Sequence, residues 1–96
     1  MAALSKLQIQ QRLKKMPGWS VAGKAIQKKY ALKSFMPAIA FVNKIAEAAE
    51  NAAHHPDITV NYNVVGIRLS THSEDGVTKK DFELANKIDQ IRETIA

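Results

Sequence analysis

Pro56 divides two hydrophobic periodicities, and the switch between them restricts the fold more than any other feature of the chain. On its N-terminal side Phe35, Ile39, Val42, Ile45, Ala46, Ala49 and Ala53 recur every three or four residues, the spacing that lines one face of a helix. Ser34 is placed to cap that helix, and Pro37 falls in its first turn, where a missing N–H costs little. Proline disfavours helical geometry at the residue before it, so the helix is predicted to stop near Ala53 or His54. On the C-terminal side Ile58, Val60 and Tyr62 alternate with Thr59 and Asn61, the two-residue period of a strand.

The remaining elements follow from the same periods. Ser5 and Gln8 have capping-box spacing and Ile9, Leu13 and Met16 form a stripe, predicting a first helix over about residues 5 to 16. Trp19 to Val21 and Ala25 to Leu32 flank Ala22-Gly23-Lys24, which predicts a hairpin; Lys28 interrupts the alternation of its second strand and suggests a sheet edge. Val65, Ile67 and Leu69 alternate with polar or small residues after a tight turn near Asn63. Beyond the polar loop Ser73-Glu74-Asp75-Gly76, Thr78 and Asp81 have capping-box spacing, and Leu84, Ile88, Ile91 and Ile95 mark a last helix. The order αββαββα predicts an α+β fold, with a four-stranded, mainly antiparallel sheet covered on one face by three helices. Such a sheet leaves an edge or face that a second copy of the chain could cover.

At 96 residues and 46% hydrophobic, the chain has room for one domain, residues 1–96, with one modest core. Having no cysteine, it has no disulfides, thiolate metal sites or cysteine nucleophile. Its first residues lack the order of a secretory signal, and no apolar run approaches the roughly 18 residues of a membrane span, so a cytoplasmic protein with no membrane association is expected. The net charge of +5 is uneven: residues 1–46 hold nine Lys or Arg and no acid, and residues 47–96 hold five basic residues and all nine acids. Mutual attraction of the two halves is the simplest reading, because the basic residues lack the aromatic interleaving of a nucleic-acid surface, and no direct nucleic-acid binding is expected.

The three histidines, His54, His55 and His72, lie within 19 residues, two at a helix end and one at the end of the returning strand. A hairpin beginning just after Pro56 should carry His72 back towards His54 and His55. Histidine at a helix C-terminus also has a structural use through the helix dipole. Three together, with Glu50 one turn upstream and Asp81 opening the last helix, point to a functional pocket. Adjacent histidines rarely aim both rings at one ion, and the helical His-x-x-x-His spacing is absent, so no metal is expected. Acid/base work suits imidazole, which takes and gives protons near neutral pH without a cofactor. No Gly-x-Ser-x-Gly context and no glycine-rich phosphate loop is present.

The run Glu50-x-x-x-His54-His55-Pro56, then Asn61-Tyr62-Asn63, then Leu69-Ser70-Thr71-His72, and Asp81 nine residues later, closely resembles the pterin-4a-carbinolamine dehydratases, as does the Gly18-Trp19 entry to the first strand. The resemblance covers nearly the whole chain and implies the same αββαββα order. It implies dehydration of a 4a-hydroxytetrahydropterin such as 4a-hydroxytetrahydrobiopterin to the quinonoid dihydropterin, without a cofactor, in the recycling that serves an aromatic amino acid hydroxylase. Carried over by position, His54 and His72 are the acid/base pair and His55 binds and orients. Pro56, Thr71 and Ser73 line the pterin site, and Glu50 and Asp81 hydrogen-bond to histidines or to substrate. The resemblance also implies a homodimer or homotetramer. Ile58 stands where many relatives have an aromatic residue, and Lys80 where some have Arg. A non-enzymatic oligomeric scaffold or transcriptional coactivator, or a dehydratase-like protein of molybdopterin metabolism, would share these features.

Overall fold

A computed structural model describes residues 2–96. Helix α1 spans Lys6–Leu13, strands β1 and β2 span Ser20–Ala22 and Ala25–Ala31, and helix α2 spans Phe35–Ala52. Strands β3 and β4 span Asp57–Asn61 and Val64–Leu69, a short 3-10 turn covers His72–Glu74, and helix α3 spans Lys79–Glu93. The sheet is antiparallel throughout, in the order β1-β2-β4-β3. The predicted element order and class hold.

Each helix boundary has a local cause. Ser5 and Gln8 close the capping box of α1. That helix ends three residues earlier than its apolar stripe suggests, because the chain tightens into i→i+3 bonds at Lys15 and Met16 ahead of Pro17. Helix α2 stops at Ala53, which takes the left-handed conformation (φ 51°) while the His54 N–H returns to the Ala49 carbonyl. Pro56 forbids continuation, and the chain leaves directly into β3.

The register explains the core. Ile26 faces Leu69, Lys28 faces Ile67 and Tyr30 faces Val65, so these side chains share one face with Ile58 and Val60 of β3. Phe41 and Ile45 of α2 and Ile88 of α3 are fully buried in the same cluster as Ile26, Val65 and Ile67. Each such side chain contributes about 1.5–3 kcal/mol through apolar burial. The opposite face carries Gln27, Lys29, Arg68, Asp57 and Thr59, all exposed.

Strand β2 is central, not an edge. Lys28 breaks the alternation because its ammonium is satisfied from another element: it reaches Asp89 of α3 at 2.8 Å and sits 4.7 Å from the centre of the Tyr30 ring. Asp89 also accepts from the Trp19 indole (3.0 Å) and the Tyr30 hydroxyl (2.6 Å), so one carboxylate ties α3 to β2 and to the residue that leads into β1. Burial, and then the hydrogen bond to and charge of Asp89, push the Tyr30 phenol well above the usual tyrosine value.

In the unfolded chain Tyr30 ionises near pH 10, while in the fold it stays protonated. Its contribution is therefore complete below about pH 10 and should be lost above it, by about 1.4 kcal/mol per pH unit. Denaturant unfolding of the wild type and Tyr30→Phe between pH 8 and 11.5 should show this extra alkaline decline only in the wild type. Equal slopes would contradict the assignment.

Candidate functional site

The site is assembled where three elements end. Helix α2 delivers His54 and His55, β4 delivers Thr71 and His72 two and three residues beyond its end at Leu69, and α3 begins at Lys79 with Asp81 in its first turn. Asp81 has no solvent exposure, and both its carboxylate oxygens are engaged. Oδ1 meets His54 Nε2 at 2.6 Å. Oδ2 accepts from the Thr71 hydroxyl and the Thr78 N–H, each at 2.9 Å. With Thr71 donating to Asp81, the buried contact between the Thr71 and Thr78 hydroxyls (2.8 Å) runs from Thr78 to Thr71. Of the two partners expected for Asp81, histidine or substrate, the structure supplies the histidine, and the same carboxylate completes the cap of α3.

That bond fixes the chemistry available to His54. An imidazole that gives its Nε2 proton to a carboxylate presents Nδ1 as its proton-handling atom. No buried side-chain nitrogen or oxygen among the described residues lacks a partner, and Nδ1 of His54 makes no hydrogen bond there, so this atom is open to solvent. His54 lines a recess of about 570 Å³ between α2 and α3, with Asn51, Lys80 and Glu83 around it. His55 points elsewhere and pairs with Glu50 at the surface. Among the described residues no three His, Asp or Glu side chains converge to hold a metal ion.

His72 opens the 3-10 turn, exposed, and lines a separate recess of about 360 Å³ with Lys24, Asp57, Arg68, Ser70 and Asp75. Lys24 of the β1–β2 turn and Asp75 close one side of it through a 2.7 Å ion pair. The expected approach of His72 to His54 is thus indirect: the two rings line different recesses, joined by Thr71, the chain neighbour of His72, and by Asp81. Pro56 is half-buried ahead of β3, and Ser73 is exposed in the turn. Ile58 packs against the core rather than standing free. Sequence reasoning missed Lys24, Asp57 and Arg68. The one signal in the sequence was an arginine in an otherwise apolar alternating strand, and only the register shows what lies beside it.

Comparison with known proteins gives a consistent picture. The family model described as pterin 4 alpha carbinolamine dehydratase matches residues 2–91. A provisionally named pterin-4-alpha-carbinolamine dehydratase of Herpetosiphon aurantiacus is 52% identical over 91 residues, covering 95% of each chain. A relative of the same provisional name in Sulfolobus acidocaldarius is 46% identical over 89 residues, covering 93% of this chain and 98% of its own. A crystal structure from Brucella melitensis, described as a transcriptional coactivator/pterin dehydratase, superimposes with a TM-score of 0.90 at 34% identity, over 94% of this chain and 98% of that one. A pterin dehydratase-like protein described as a RuBisCO assembly factor of the alpha-carboxysome shares the fold, with a TM-score of 0.65 at 20% identity over 77% of this chain and 86% of its own.

Replacing Asp81 by Asn tests the geometry of the site. The amide oxygen must accept from the Thr78 N–H, which turns the NH₂ group towards His54 and forces Nε2 to become an acceptor. Asp81→Asn should lower stability by about 1–3 kcal/mol. It should also move the His54 proton from Nε2 to Nδ1, seen in imidazole ¹⁵N shifts; an unchanged tautomer would show that Asp81 does not set it.

Proposed function

This chain belongs to the pterin-4a-carbinolamine dehydratase family, and on that premise we propose that it dehydrates a 4a-hydroxytetrahydropterin to the quinonoid dihydropterin and water by histidine acid/base catalysis. The observation that carries the reading is the His54–Asp81 pair: a buried carboxylate holds one imidazole nitrogen and leaves the other open. Hydroxide is a poor leaving group, so the C4a–O bond breaks readily only as the oxygen gains a proton. As water departs, N5 loses its proton and the freed electron pair forms the N5=C4a bond. One imidazole gives and another takes, which returns the enzyme to its starting charge.

In this reading His54 and His72 exchange the two protons, from the two recesses that flank the Thr71–Asp81 link. His55, fixed by Glu50, holds and orients the substrate, and Pro56, Thr71 and Ser73 border the ring. No cofactor enters the scheme. Lys80 beside His54 takes the place of the arginine of some relatives as a cation at the rim. The exposed edge strands β1 and β3 suit association into a homodimer or homotetramer. A cytoplasmic location beside an aromatic amino acid hydroxylase fits the reaction; no helix of the described residues is long and apolar enough to cross a membrane.

A second reading, a non-enzymatic scaffold or coactivator on the same fold, draws on the coactivator wording attached to the Brucella melitensis structure. The rate of dehydration of freshly generated 4a-hydroxytetrahydropterin separates the two. Because His54 satisfies a buried carboxylate, His54→Gln is preferred to alanine, which would strand Asp81. His54→Gln and His72→Ala should each lower turnover by roughly 10²-fold or more, the scale of lost acid/base help, with native circular dichroism retained. A wild-type protein that gives no acceleration would leave the scaffold reading.

A further inference from the structure

The recess that holds His72 is walled by two cations that the dehydration itself does not require. Arg68 stands in β4, a central strand, paired with Gln27 on one side and Asp57 on the other, so its backbone is fixed from both edges. Its Nη2 lies 4.0 Å from the point where a side chain at Gly23 would begin, so the guanidinium leans over the β1–β2 turn towards the segment carrying Lys24. Among the described residues Arg68 enters no ion pair, Asp57 across the strand included. Lys24 is held by Asp75, but both side chains of that pair are more than two-thirds exposed, and such pairs exchange partners at little cost.

The geometry points to an anion subsite at this recess that binds a phosphate ester on the side chain of the substrate pterin, with Arg68 as its anchor and Lys24 as its second cation. The assignment rests on the dehydratase reading, and it supplies the substrate class which that reading leaves open. A pterin side chain leaves the ring at C6, next to N5 and so two bonds from C4a. A histidine serving the N5 and C4a region therefore lies close to where the side chain starts, and Arg68 and Lys24 line the same recess as that histidine. A second recess of about 400 Å³ over the open sheet face, across Gly66 towards Lys29, shares Asp57 and Arg68 with this one.

The rim also carries Asp57 and Asp75, so the two cations are balanced at long range. Selection must then come from short-range geometry. A phosphate monoester, with about −1.5 to −2 charge and three acceptor oxygens, can meet the planar fork of an arginine with two parallel hydrogen bonds and still take the Lys24 ammonium from Asp75. A single carboxylate brings one negative charge and two oxygens to the same cations, and so is held less tightly than the phosphate.

Two measurements test the subsite. Titration with inorganic phosphate at low salt, followed by the ring resonances of the three histidines, should shift His72 in the wild type and in the charge-matched control Lys6→Gln, and not in Arg68→Gln. A His72 resonance that does not move, or moves equally in Arg68→Gln, overturns the subsite whatever the protein does with pterins. Calorimetric binding of a 7,8-dihydropterin with a phosphorylated side chain, against its dephosphorylated counterpart, should show about tenfold tighter binding of the phosphorylated form, falling to parity in Arg68→Gln. Equal wild-type affinities overturn the substrate assignment and leave the dehydratase reading intact. A phosphate-dependent His72 shift without binding of either pterin would refute the dehydratase reading and support the anion site alone.

Discussion

A carboxylate with no access to water needs partners on all sides, and Asp81 determines how three chain ends meet. Its oxygens are satisfied by the end of α2 through His54, by the segment after β4 through Thr71, and by the start of α3 through Thr78. Removing any one of these donors leaves a buried charge under-compensated, a loss of several kcal/mol in the usual range. The arrangement is better understood as a device for position than for net stability, since a well-packed apolar group could fill the same space. The same bonds that close the last helix's cap decide which nitrogen of His54 faces outward.

Much of this was legible in the sequence, because periodicity reports local structure directly. The alanine-rich stripe before Pro56 and the alternation after it place α2 and β3 to within a residue or two. The histidine cluster, Glu50 and Asp81 are named by spacing and by resemblance. What escaped were relations across long separations. Lys28 reads as an edge signal until Asp89, 61 residues away, is seen to accept its ammonium in a central strand. His54 and His72 read as neighbours, yet each lines its own recess, because Thr71 turns inward to Asp81 while His72 opens outward. Arg68 and Lys24 come together only through the pairing of β2 with β4, which no local pattern specifies.

The uneven charge of the chain is resolved only in part by folding. Lys24–Asp75 and Lys28–Asp89 join the basic half to the acidic half, as mutual attraction of the halves would have it, whereas the pairs made by His54 and His55 lie wholly within the acidic half. Lys29 on the open sheet face and both cations of α1, Lys6 and Arg12, remain exposed. Their field favours the approach of anionic ligands without specifying any one of them.

Helix α3 carries two anchoring carboxylates, Asp81 towards the histidines and Asp89 towards the first hairpin, eight residues or about 12 Å apart along the axis. Loss or gain of one residue between them would rotate one anchor by about 100° relative to the other, so only one of them could stay in place. The interval from Asp81 to Asp89 therefore behaves as a ruler of fixed length between the site and the far end of the sheet.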